Sequence, residues 1–203
     1  MINTNWGYEI LDEIENLPPL ISLDTFNLIT NNKYVNDQRV SSILSSASAA
    51  IRNYCGWHLA GNMECEVTYS FDDLHVTRNY HGLIIQLPSR CVTAITKIYA
   101  NDEEINPSYF LKQNGILKIY DSCGFFKTIT IRFKSGLVAD DGLAYVVSSR
   151  VSNALSGPIG VNSESAGGVS ISYSNSYVAG SNATTLLTAD REYLMPYKLD
   201  ELL

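Results

Sequence analysis

The chain has 203 residues, 45 % apolar and 17 % charged, which is enough hydrophobic content for a core and too little charge for a disordered polymer. Its formal net charge is −7, and no segment is basic, which argues against a nucleic-acid grip built on clustered Lys and Arg while leaving room for a wall that DNA slides past. No apolar run approaches the roughly 20 residues of a membrane span, and Met1 to Tyr8 lacks the basic-then-apolar pattern of a secretion signal.

Residues 1–21 read as an N-terminal arm. Trp6, Ile10, Ile14 and Leu17 could share one helical face, and Pro18-Pro19 stops any helix there. Ser22 is a plausible N-cap for a short helix through Leu23, Phe26 and Ile29. The strongest helical pattern is residues 37–55, where Val40, Ile43, Leu44, Ala47, Ala50, Ile51 and Tyr54 recur at helical spacing and Gly56 can close the helix. Its other face, Ser41, Ser42, Ser45, Ser48 and Arg52, is small enough to let another backbone come close, within the chain or between subunits, and Ser41, Ser45, Ser48 and Arg52 are the candidate contacts between subunits.

Period-two alternation takes over at residue 62. Cys65, Val67 and Tyr69 alternate with polar residues, Leu83 to Leu87 is a short apolar run, and Val92 to Tyr99 is rich in β-branched side chains. Asn114-Gly115 between two short strands predicts a two-residue hairpin. With Phe126 to Phe133, residues 62–137 form an antiparallel β subdomain of five or six strands. A helix follows over residues 140–155, ended by Gly157-Pro158.

Residues 160–184 are rich in Gly, Ser and Asn and read as a flexible loop carrying a brief strand at Val169, Ile171 and Tyr173. Residues 185–203 form an apolar tail with Leu186, Leu187, Tyr193, Leu194, Met195, Pro196, Tyr197 and Leu199, suited to docking on its own domain or on a partner. The fold class is α+β: a small helical bundle (residues 22–61 and 138–159), an inserted antiparallel β subdomain, and extended N- and C-terminal arms.

Motifs for chemistry are sparse. Cys55, Cys65, Cys91 and Cys123 form no C-x-x-C pair and read as free thiols. Cys55, His58, Cys65, His75 and His81 are metal-capable, but their spacing matches no zinc framework, and no metal is expected. The acidic clusters Asp72-Asp73, Asp102-Glu103-Glu104 and Asp140-Asp141 each sit at a turn or a helix start, where carboxylates cap backbone rather than perform acid–base work. No phosphate-binding loop or nucleophile elbow occurs, so no catalytic residue and no cofactor is expected. Two other function classes stay open: a glycan-binding module using Tyr69, Tyr80, Tyr99, Tyr109 and Tyr120, and a hydrolase using one acidic pair.

The order of elements carries a resemblance. Ser46-Ala47-Ser48-Ala49-Ala50-Ile51-Arg52-Asn53-Tyr54-Cys55-Gly56-Trp57 resembles the helix-ending signature of head–tail connector (adaptor, neck ring) proteins of long-tailed bacteriophages. Around it stand a short preceding helix, the strand at Leu87 to Ile95, the hairpin at Tyr109 to Ile119 and a strand ending in Gly136. A helix, the segment Glu164 to Tyr173 and the tail Tyr193 to Leu199 complete the order. The similarity spans about residues 22–199; the arm and Asp200-Glu201-Leu202-Leu203 lie outside it. It implies a non-enzymatic virion protein, assembled in the host bacterial cytoplasm, in a homo-oligomeric ring of about twelve copies under the portal protein. On that reading double-stranded DNA passes through the ring without specific binding, the C-terminal segment meets the portal, another face meets the next neck or tail protein, and no membrane is involved.

Overall fold

The computed structural model describes residues 2–80, 82–112, 114–120, 126–138, 140–156, 163–166, 169–172 and 185–199. The fold is α+β, as the sequence predicts. The chain divides into two units: residues 1–17, 55–139 and 197–203 form the first, and residues 18–54 and 140–196 the second.

The first unit is antiparallel β. In chain order its strands are β1 (Ile2–Asn3), β2 (Glu9–Ile10), β3 (Met63–Ser70), β4 (Val76–Asn79), β5 (Gly82–Gln86), β6 (Val92–Ala100), β7 (Glu103–Ile105), β8 (Tyr109–Lys112), β9 (Ile116–Ile119) and β10 (Thr128–Ser135). They form one sheet in the order β1-β2-β3-β10-β6-β7 and a second in the order β4-β5-β9-β8. Eight described strands, rather than five or six, therefore lie between Met63 and Ser135. The surplus comes from short polar or acidic strands such as β4 and β7, whose side chains carry no apolar alternation to read.

The register explains the core. Tyr69, Val67 and Cys65 on β3 stand opposite Ile129, Ile131 and Phe133 on β10, and all six are buried. The second sheet aligns Leu83 with Ile119 and Ile85 with Leu117, again all buried. Asn114 and Gly115 both have positive φ, 80° and 75°, the backbone that a two-residue hairpin between right-twisted strands demands.

The N-terminal arm is not helical. Residues 2–10 form the β1–β2 hairpin, and β2 joins the sheet with Glu9 opposite Glu66 and Ile10 opposite Cys65. Tyr8 and Ile10 point into the core, a period of two that the spacing of Trp6, Ile10 and Ile14 disguises as helical. An isolated helix this short is marginal, whereas the edge of β3 satisfies the backbone directly.

The second unit holds α1 (Leu23–Ile29), α2 (Val40–Cys55, its last residue counted with the first unit), α3 (Asp141–Ser156), the two-stranded sheet of β11 (Ser163–Ala166) and β12 (Val169–Ser172), and α4 (Thr188–Leu194), which runs into a 3-10 turn at Met195–Tyr197. Ser22 caps α1, its hydroxyl accepting from the Thr25 N–H at 3.0 Å. Val40, Leu44, Ala47 and Ile51 bury one stripe of α2; Leu143, Val146, Val147, Val151 and Leu155 bury one of α3. Most of residues 160–184, the Gly157-Pro158 stop, Cys123, His81 and residues 200–203 lie outside the described residues.

Candidate docking site

The C-terminal segment is folded onto its own chain by a small set of contacts. In the second unit, Asp190 of α4 accepts a hydrogen bond from the Leu187 N–H at 2.8 Å, which caps the helix start. The same carboxylate lies 3.2 Å from Nε of Arg150 on α3, and Arg150 donates from Nη1 to the Thr185 carbonyl at 3.0 Å. Both side chains are largely out of water, with 2 % of Arg150 and 12 % of Asp190 exposed. Such a pair, once desolvated, depends on each partner to neutralise the other. Leu186 and Leu194 are buried beside it in the sequence, and Tyr54 donates to the Arg191 carbonyl at 3.2 Å.

In the first unit the last described residues close on Trp57. Its indole N–H donates to the Tyr197 carbonyl at 2.7 Å, and the Leu199 N–H donates to the Cys55 carbonyl at 2.9 Å. Leu199 also lines a mixed cavity of about 340 Å³ with Trp6, Tyr69, His75 and Arg90.

The eight tail residues therefore divide. Leu186 and Leu194 are core; Leu187, Tyr197 and Leu199 are half-buried; Tyr193, Met195 and Pro196 are exposed, at 48 % for Tyr193 and 61 % for Met195. Tyr145 on α3, 65 % exposed, belongs with them, because the Tyr193 hydroxyl lies close against Gly142, one turn before Tyr145 on the same helix face. Tyr54 places its hydroxyl 3.8 Å from the Met195 sulfur. Two exposed Tyr residues, a Met and a Pro make a patch of the composition that protein interfaces favour. Sequence reading missed Tyr145 and Tyr54. A large aromatic off the apolar stripe of its helix is the signal that points to Tyr145, whereas Tyr54 sits on the stripe of α2 and reads as core.

The serine face of α2 also divides. Ser41 and Ser45 are exposed, and Ser45 donates back to the Ser41 carbonyl at 3.0 Å. Ser48 and Arg52 are closed off by the chain itself. The Ser48 hydroxyl accepts from the Leu20 N–H at 3.0 Å and donates to the Leu44 carbonyl at 2.7 Å, while Arg52 donates from Nη2 to the Pro18 carbonyl at 2.7 Å. The segment Pro18–Leu20 thus covers half of the face that the spacing presents as open.

The residues singled out for other chemistry have structural partners. His58 is buried; its ring nitrogens lie 2.8 Å from the Tyr8 hydroxyl and 2.9 Å from the Ser135 carbonyl. Nε2–H therefore donates to Ser135, and Nδ1 accepts from Tyr8. Burial pushes the Cys55 and Cys65 thiols up to about 12. Among the described residues, no three His, Cys, Asp or Glu cluster at metal-ligand geometry. Asp73 accepts from the His75 N–H at 3.0 Å and Asp140 from the Leu143 N–H at 2.8 Å, both as turn and helix caps. The five tyrosines form no common platform. Tyr69 is buried with its hydroxyl donating to the Gln86 carbonyl at 2.7 Å, and Tyr99 lies half-buried beneath Arg132.

The fold has a counterpart among solved structures. A chain from the neck of an empty GTA particle, computed with C6 symmetry, matches this fold with a TM-score of 0.59 at 13 % identity, over 95 % of this chain and 96 % of that one. A sequence profile of the head completion protein family matches residues 19–189. The chain belongs to the head completion protein family, a family of structural virion proteins rather than enzymes. The resemblance to phage head–tail connectors read from the order of elements agrees with both findings. No curated protein matches the chain. Tyr193, Met195 and Pro196 lie beyond the matched range, and Tyr145 within it. No helix among the described residues is long and apolar enough to cross a membrane.

Proposed function

We propose that copies of this chain form a ring at the head–tail neck, seated under the portal protein and followed by the next neck or tail protein, with double-stranded DNA passing through the centre. The family match over residues 19–189 carries this reading. The patch of Tyr145, Tyr193, Met195 and Pro196 is the portal-facing element, and Ser41 and Ser45 are the part of α2 available to a neighbouring copy. A ring subunit needs two different complementary faces, and a closed ring of about twelve copies satisfies this. A chain with net charge −7 gives phosphates nothing to hold during ejection.

Co-purification with the portal protein tests the assignment. Deleting the tail is a poor test, because Leu186 and Leu194 belong to the core. The double variant Tyr193→Asp, Met195→Asp alters exposed side chains only. It should lose portal binding by at least about tenfold while its thermal unfolding stays near wild type. Undiminished binding by that variant removes the patch from the contact.

A further inference from the structure

The two larger sheets have four edges among the described residues, and they are not alike. β1 is two residues long. β7 begins with Glu103 and Glu104. β4 reads Val76-Thr77-Arg78-Asn79 and is polar over its last three positions. Shortness and charge are the usual means of blunting an edge against strand addition. β8 is short as well but lacks the second means over most of its length: it reads Tyr109-Phe110-Leu111-Lys112, exposes Tyr109 and Phe110, and carries its one charge at the end.

The backbone of β8 is open in a defined way. The Tyr120 N–H donates to the Ser108 carbonyl at 2.8 Å, so these two residues form a hydrogen-bonded antiparallel pair. The register places Tyr109 opposite Ile119 and Leu111 opposite Leu117. Alternation then directs the N–H and C=O of Tyr109 and Leu111 away from β9, on the side where the sheet has no further strand among the described residues.

The chain also holds two strands that join neither of these larger sheets among the described residues. β11 and β12 pair with each other from Ser163–Ser172 to Ala166–Val169 and with no third strand among the described residues. A hairpin of two short strands is marginal by itself in water. β12 has four residues, the length of β8.

We propose that the β11–β12 hairpin of one copy adds to the β8 edge of the next copy, extending the β4-β5-β9-β8 sheet across the subunit boundary. Edge and hairpin are different parts of the chain, so the contact is head-to-tail and repeats around a ring. The inference rests on the ring reading above and names one contact within it.

Two full-length variants test it. Leu111→Pro removes an outward N–H and breaks no β8–β9 hydrogen bond; Phe110→Lys puts a charge on the same edge and replaces it if the proline variant shows a lost fold by circular dichroism. The second variant replaces residues 163–172 with a Gly/Ser linker of equal length. Mass measurement, alone and with the portal protein, should show wild-type rings and at least tenfold weaker assembly for each variant. Mixing the two variants should restore a dimer and nothing larger, because one supplies the hairpin and the other the edge. Rings from both variants alone, or no dimer from the mixture, overturn the pairing and leave the ring standing. An edge defect without a hairpin defect assigns β8 to another protein and overturns it too. A wild-type chain that stays monomeric, alone and with portal, overturns both the ring and the pairing.

Discussion

The two ends of the chain are held by opposite means. The N-terminal residues are laced into a sheet: β1 on β2, β2 on β3, with Tyr8 hydrogen-bonded to His58. The C-terminal segment of the second unit is clasped at points, by one buried ion pair and two leucines. A ladder spreads its stabilisation over many backbone groups, and losing one costs a fraction. A clasp concentrates it, and losing one member leaves an unpaired charge in a dry setting. The patch proposed to face the portal therefore sits on the end whose attachment a single substitution can undo.

The largest expected effect tests that asymmetry directly. Arg150→Ala strands Asp190 and should destabilise the fold by about 3–5 kcal/mol in denaturant unfolding. The apolar double variant Arg150→Met, Asp190→Leu should recover most of the loss; if it is no more stable than Arg150→Ala, the ion pair is not the clasp. At the other end, Tyr8→Phe removes one buried hydroxyl and should cost about 1–3 kcal/mol, with the hairpin still in its sheet. A loss as large as that of Arg150→Ala would erase the contrast.

Ser48→Ala should cost about 1–2 kcal/mol because the buried Leu20 N–H loses its acceptor, while Ser45→Ala on the same helix stays within about 0.5 kcal/mol. Equal effects would mean that Pro18–Leu20 does not cover the helix. The smallest effect is a matter of rate and pH. The Cys55 and Cys65 thiols, raised by burial from the ordinary 9.0 to about 12, should resist alkylation at pH 8. Cys65 lies opposite Ile10 of the laced end, whereas the Cys55 carbonyl at the end of α2 meets Leu199, near the other end of the chain, so Cys55 should react first. Because the folded thiols ionise above their unfolded value, their stabilisation is whole below pH 9 and is lost as pH climbs from about 9 towards 12. Faster labelling of Cys65 than of Cys55 would reverse the ranking of the two ends.

Much of this architecture is legible in the residues. The Val40 to Tyr54 periodicity marks α2, Ser22 marks the start of α1, and Asn114-Gly115 marks a hairpin, because each rests on local rules of spacing, capping and turn geometry. The N-terminal arm misleads for a physical reason. Trp6, Ile10 and Ile14 fit a helix as well as a strand pair, and only the presence of the β3 edge decides between them. The docking site is half-legible for a similar reason. Composition identifies an apolar tail, yet which of its residues face inward depends on Arg150, some forty positions earlier. The cover over Ser48 and Arg52 is likewise supplied by carbonyl and amide groups, which every sequence possesses and none advertises.

The bond from Trp57 to Tyr197 has a consequence for synthesis. An indole N–H made early waits through 140 residues for its acceptor. A chain emerging from the ribosome N-terminus first can form β3 against β10 long before that acceptor exists, so the unit containing Trp57 stays open on one side until Tyr197 and Leu199 arrive. Non-local closure of this kind is slow because the chain entropy is spent before the contact rewards it. In the proposed ring, assembly competence is thereby tied to translation having run as far as Leu199, and a nascent subunit lacking that stretch has an incomplete core to offer its neighbours.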